Sequence, residues 1–175
     1  AKMGEYQELL PIDGLQISSV SADLYGDGRD DLTLFFFENG ANFASIYTQS
    51  TITSASINWN LRLRRHFVKA LIVNTQNANT FTGEKGVQGL KEISKTLSKS
   101  LTIKAAQSPR GINDTVKPNE ILFASTGIIG EEFPAQKIKN TINDLVKKLR
   151  VGQNKYIWFK AASAIMTTDT RPKLA

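Results

Sequence analysis

The chain has 175 residues, 41% of them apolar and 22% charged, an ordinary balance for a soluble globular protein with one sizeable core or two small lobes. It contains no cysteine, which excludes a disulfide framework, a thiolate metal site and a thiol nucleophile, and no apolar run approaches the roughly 20 residues of a membrane helix. The net charge of +6 leaves nucleic acid open as a partner. The first residues lack the charged-then-apolar pattern of a secretory signal, so a cytoplasmic location is expected and the Asn-Asp-Thr triplet at Asn113 carries little weight for glycosylation.

In chain order, the first predicted element is the strand LTLFFF, Leu32–Phe37, closed by a turn signal at Asn39-Gly40. The segment NFASIYTQS, Asn42–Ser50, follows as a second, hairpin-paired strand. Residues 57–79 begin with mixed periodicity and become a strand over Lys69–Asn74. The spacing of Val87, Leu90, Ile93, Leu97 and Leu101 predicts an amphipathic helix from Glu84 to about Ser100. Residues 105–120 are polar, with two prolines and a glycine, and predict a loop.

A buried strand over Glu120–Ser125 comes next and ends abruptly in Ser125-Thr126-Gly127. The segment QKIKNTINDLVKKLR, Gln136–Arg150, predicts a helix whose apolar stripe is Ile138, Ile142, Leu145, Val146 and Leu149. Its lysines then form the wet face, which is either simply solvated or a surface for phosphates or acids. From Asn154 an aromatic cluster leads into an Ala-rich helix that breaks near Thr167 and before Pro172. Strands and helices in this order predict an α/β fold of the α+β sandwich kind, with mixed sheets flanked by helices and one domain over residues 1–175.

Few motifs carry chemistry by themselves. DLYGDGRDDLTL fails as a calcium loop, because Tyr25 and Leu34 stand where oxygen ligands are needed. His66 is the sole histidine and reads as a surface or packing residue. Neither a Walker loop nor a GxGxxG occurs, and nothing in the chain offers an activated serine with a base beside it. Locally, the Ser-Thr-Gly after the strand reads as a strand-to-helix turn with a hydroxyl as N-cap, or as a site where a hydroxyl and a backbone N–H converge.

Four segments change that balance: GRDDLTL (Gly28–Leu34), VNTQNANTFTG (Val73–Gly83), STGIIGEEFP (Ser125–Pro134) and AIMTTDTRPK (Ala164–Lys173). In this order they resemble the α chain of the ornithine acetyltransferase family (glutamate N-acetyltransferase, ArgJ) of arginine biosynthesis. The resemblance spans nearly the whole chain, and its last two motifs are the specific ones. It implies a precursor that cuts itself before a threonine, whose hydroxyl becomes the nucleophile at the N-terminus of a separate β chain. It further implies transfer of acetyl from N-acetylornithine to glutamate, with acetyl-CoA an additional donor in some members, and an α2β2 or larger assembly.

On this resemblance Thr126 and Gly127 are the oxyanion-hole residues, and Thr167, the first threonine of TTDT, binds the amino-acid substrate. Beside Asp169, Thr167 also reads as a helix-end cap. No nucleophile falls in this chain, and the resemblance implies no metal, cofactor, membrane or nucleic acid. The Asn-rich loop (Asn74, Asn77, Asn79) is similar to the family's NSGNAN, but Thr75-Gln76 replaces the usual Ser-Gly, a departure that bears on loop geometry. The family's substrate lysine, in a KGxGM segment, and its cleavage site lie beyond Ala175, so a shortened α chain is expected. The competing readings are an amidase or aminopeptidase relative with an N-terminal nucleophile, and a basic RNA- or protein-binding domain without enzymatic activity.

Overall fold

The computed structural model describes residues 9–63, 66–107 and 115–174. Alternation in β2 (Leu32–Asn42) sets the layers. Leu32, Leu34 and Phe36 are buried in the main core, while Phe35 and Phe37 lie on the opposite face. β1 (Leu15–Val20) and β3 (Phe67–Asn74) flank β2 in antiparallel register, and β4 (Ile121–Ser125) adds to β3 in parallel. The sheet order is β1-β2-β3-β4. The long connection from β3 to β4 carries α2 (Gly83–Ala106), as a parallel crossover requires.

α2 and α3 (Ala135–Lys147) pack together over the main core. Their predicted stripes do this: Leu90, Ile93, Leu97 and Leu101 meet Ile138, Ile142 and Leu145, all with almost no exposed surface. α4 (Lys155–Ala164) lies on the other face, where Ile157, Trp158 and Ala161 contact Leu15, Ile17, Phe35 and Phe37. The expected mixed α/β layering, helices on both faces of a mixed sheet, is what the structure contains. The basic face of α3 is partly spent on neighbours, since Lys137 pairs with Asp23 and Lys139 with Glu92.

Several expectations change. β2 does not turn at Asn39-Gly40; it continues through a bulge and pairs again with β3, Ala41 against Val68 and Asn42 against Phe67. Gly40 makes this possible, because its φ is +72° and a Cβ there would lie 2.0 Å from the Phe67 ring. The segment Asn42–Ser50 is therefore no hairpin partner: past Asn42 it has no regular structure, and Ile46 is fully exposed. α2 runs six residues past Ser100, and α4 ends at Ala164 rather than near Thr167. Of the predicted loop over residues 105–120, the stretch 108–114, with Asn113, lies outside the described residues, and Pro118–Glu120 form a 3-10 turn.

Two elements escaped the sequence reading. One is β1. The other is α1 (Ala55–Leu61), capped by Ser54, whose side chain accepts from Ile57 N. α1 covers the open edge of β4. The Asn60 carboxamide donates to Phe123 O (2.8 Å) and accepts from Phe123 N (3.0 Å), and Trp59 Nε1 donates to Ile121 O (2.9 Å).

Candidate active site at the ends of β3 and β4

β3 and β4 end side by side, Asn74 opposite Ser125, at the carboxyl end of the parallel pair. Ligands commonly bind at such ends in open α/β sheets. The chain leaves β4 through Ser125-Thr126-Gly127 and leaves β3 through the Asn-rich loop, and the two exits run together. Ile128 N donates to Gln76 O (2.7 Å), Ala78 N to Ile128 O (2.9 Å) and Gly130 N to Thr80 O (2.9 Å).

The close approach of these loops explains Gly127. Its φ is +137°, and a Cβ there would sit 2.2 Å from the Gln76 carbonyl carbon and 2.6 Å from Asn77 N. Any side chain would push the loops apart. The resemblance makes this glycine an oxyanion-hole residue; its missing side chain is first required against the Gln76 backbone.

The donors at the turn are sharply divided. The Ser125 hydroxyl donates to Asn74 Oδ1 (2.7 Å), and Thr126 N donates to Asn74 O (3.1 Å). With Ile128 N also engaged, the Thr126 hydroxyl and the Gly127 N–H are left without a partner among the described residues. Both residues are exposed. Two adjacent uncommitted donors on a fixed turn can receive an oxygen that gains negative charge. The N-cap alternative for Ser125 or Thr126 fails, because α3 starts only at Ala135, with Pro134 as its N-cap residue.

α4 ends against the same end of the sheet, and Thr167 follows it. Thr75, next to Asn74, donates its N–H to Asp31 O (3.0 Å), and its buried hydroxyl lies 3.3 Å from Asp31 O and 3.4 Å from Ala164 O. Ala164 is the last residue of α4, and Thr167 follows three residues later. Thr167 is half-buried, and its hydroxyl forms no hydrogen bond among the described residues. The helix-end cap reading therefore finds no bond to support it, and Asp169 pairs instead with Lys173 (2.5 Å).

Bonds from Asn74 and Thr75 thus join all four segments quoted from the sequence: Asp31 from the first, the Asn-rich loop itself, Ser125 and Thr126 from the third, Ala164 from the fourth. Asp31, within the rejected calcium loop, turns its carboxylate inward, where it accepts from Ala22 N (2.6 Å) and Leu24 N (2.7 Å). Among the described residues no group of acidic residues and histidines is placed to hold a metal. His66 is exposed, with its ring 5.8 Å from that of Phe43. The roles of Ser125, Asn74 and Thr75 were not legible in the sequence, because each depends on partners far along the chain.

Fold and turn together define a mixed α/β chain with two donors uncommitted among the described residues at the carboxyl ends of its parallel strands. The ArgJ family model matches residues 16–175, and the chain belongs to the ArgJ family. It is 37% identical over 170 residues to the arginine biosynthesis bifunctional protein ArgJ of Bartonella quintana, an alignment covering 97% of this chain and 37% of that protein. The protein of the same name from Rhizobium meliloti is 32% identical over 171 residues, covering 97% of this chain and again 37% of the relative. Among solved structures, ornithine acetyltransferase from Mycobacterium tuberculosis, crystallised with ornithine, superposes with a TM-score of 0.78 at 25% identity, covering 94% of this chain and 83% of that one. ArgJ from Bacillus halodurans superposes at 0.75 with 23% identity, covering 90% and 74%, and attests the fold. The chain spans a little over a third of the length of the curated relatives it matches.

Proposed function

We propose that this chain is the α chain of a glutamate N-acetyltransferase that moves acetyl from N-acetylornithine to glutamate in arginine biosynthesis. The observation that carries this reading is the pair of uncommitted donors, the Thr126 hydroxyl and the Gly127 N–H, on a turn whose other donors are engaged. The nucleophile is the N-terminal threonine of a β chain cut from the same precursor. Its amine takes the hydroxyl proton as the oxygen attacks the acetyl carbonyl, and Thr126 and Gly127 stabilise the oxyanion that forms. Collapse of the intermediate expels the ornithine amine, which takes up that proton, and leaves an acetyl-threonine ester. The glutamate amine then attacks the ester through the same steps in reverse. Thr167 holds the amino-acid part of donor and acceptor.

A second chain also has a surface to pack against. α4 covers β1 and β2 on one face of the sheet, while Leu71, Val73, Leu122 and Ala124 on that face of β3 and β4 remain half-exposed. Their cover by a β chain in an α2β2 or larger assembly, in the cytoplasm, completes the proposal. Among the described residues no helix is long and apolar enough to cross a membrane.

The test is kinetic. The complete protein, with its N-termini sequenced, is assayed for acetyl transfer from N-acetylornithine to glutamate and for release of amine from a peptide amide. Transfer by a preparation that holds a second chain beginning with threonine is the expected result, and amide cleavage without transfer rejects it in favour of an amidase. Thr126→Ala removes one oxyanion donor and should lower kcat by roughly 10²–10³. An unchanged kcat removes the oxyanion role.

A further inference from the structure

The Asn-rich loop has no part in the chemistry described so far, yet the bond pattern at the turn runs through one of its side chains. Asn74 is buried and both ends of its carboxamide are engaged. Nδ2 donates to Asn77 O (2.9 Å) and lies 3.3 Å from Thr75 O, so the two carbonyls fix which end is nitrogen. Oδ1 therefore faces Ser125, and the single hydroxyl proton of Ser125 must go to it (2.7 Å). Ser125 then has only acceptor capacity left, which the buried hydroxyl of Ser56 meets as donor (2.7 Å). The carbonyl of Asn74 meanwhile takes the Thr126 N–H (3.1 Å).

We infer that Asn74 is the positioning residue of the turn: it withdraws the Ser125 hydroxyl and the Thr126 N–H, leaving the Thr126 hydroxyl and the Gly127 N–H as the donors aimed outward. It touches no reacting atom and acts through Thr126 and Gly127. The inference rests on the oxyanion reading of that turn. With the amide removed, the Ser125 proton is free to rotate and the end of β4 keeps only its backbone ties to β3, so the outward donors lose part of what fixes their direction. Fixed direction is the property on which stabilisation of a developing charge depends.

The test uses the complete two-chain protein with Asn74→Ala, Asn74→Asp, Thr126→Ala and the Asn74→Ala/Thr126→Ala pair. Asn74→Ala is expected to lower kcat by roughly 10- to 100-fold, the scale of a small misplacement, with KM changed less than about twofold. The double variant should lose less than the product of the single losses, since both changes act on the same donors. Asn74→Asp gives a readout that a purely structural role does not move. Protonated, its carboxyl accepts from Ser125 and donates to Asn77 O as the amide does. Ionised, it loses the second bond and puts a negative charge beside the growing oxyanion. Burial raises the carboxyl pKa, so kcat of this variant should be near the parent's at low pH and fall as pH rises, below the unfolding temperature throughout. Parent-like kcat in Asn74→Ala, or a parent-like pH profile in Asn74→Asp should the alanine variant not fold, overturns the inference. If Thr126→Ala is itself parent-like, the oxyanion reading has failed and the inference falls with it. A slow Thr126→Ala beside parent-like Asn74 variants sinks the inference alone.

Discussion

Gln76 holds φ at +74°, and Asn79 and Phe81 in the same loop are also left-handed. For a residue other than glycine this costs about 1–2 kcal/mol. At Asn79 the cost is offset locally, by Asn77 Oδ1 accepting Asn79 N (2.8 Å) and by Thr82 Oγ1 donating to Asn79 Oδ1 (2.7 Å). At Gln76 the offset comes from across the site: its carbonyl accepts Ile128 N, and Nε2 donates to Glu131 Oε2 (3.2 Å). Thr75-Gln76, where the resemblance leads one to expect Ser-Gly, therefore keeps a backbone that a glycine adopts freely. Gln76→Gly should relieve the strain, whereas Gln76→Ala keeps it; both lose the Glu131 contact. Denaturant unfolding is expected to rank the glycine variant above the alanine variant by about 1 kcal/mol. Equal midpoints would mean that the left-handed backbone at Gln76 carries no strain. None of this was readable from the residues alone, since a glutamine announces no special φ.

The helices were legible where their faces are simple. The stripe of α3 predicted both its burial and its lysine face, because Ile138, Ile142 and Leu145 are apolar and each is buried. β1 was not legible because the reverse holds: all six of its residues are buried, yet Gln16, Ser18 and Ser19 are polar. Their polar atoms are met by partners that no local pattern reveals, Ser18 Oγ on Leu145 O (2.7 Å), Ser19 Oγ on Thr33 Oγ1 (3.0 Å), and Gln16 on the Glu38 carboxylate. The expected strand over Asn42–Ser50 failed for a matching reason, its apolar residues being present with no face to bury them. Between α2 and α3 the bond from Lys139 Nζ to Glu92 Oε2 (2.8 Å) holds the Glu92 carboxyl below its usual pKa, with a smaller contribution from Gln88. A carboxylate depressed in the folded state adds stability above its unfolded pKa of roughly 4.3, and the gain is lost as pH falls through the lowered value. Lys139→Ala should move the Glu92 titration upward by NMR. It should also be less stable than the parent near neutral pH, by an amount that shrinks in acid. A constant difference across that range would show the lysine acting through packing alone.

At the scale of the whole molecule, the site is made by long-range return of the chain. Asp31, Asn74, Ser125 and Ala164 are well separated in sequence, and the sheet register with the Thr75 bonds brings them to one corner. That convergence is why the resemblance could name Thr126, Gly127 and Thr167 while periodicity could not. Periodicity finds faces that bury, and these residues sit where the chain leaves its elements. Thr167 tests the convergence most directly, because it follows Ala164, which the bond from Thr75 ties to the corner. Its hydroxyl, free of partners among the described residues, is available to the charged part of an amino-acid substrate. If it binds the ground and transition states alike, its loss removes uniform binding, and Thr167→Ala should raise KM for N-acetylornithine, glutamate or both with a smaller fall in kcat. A hydrogen bond to a charged group contributes about 1.5–3 kcal/mol, which corresponds to a change in KM of roughly 10- to 150-fold. Thr167→Ser keeps the hydroxyl and should recover most of the loss. Steady-state kinetics on parent, alanine and serine variants decides the matter: parent-like KM values in both variants would leave Thr167 outside the substrate's reach and confine the site to the turn after β4.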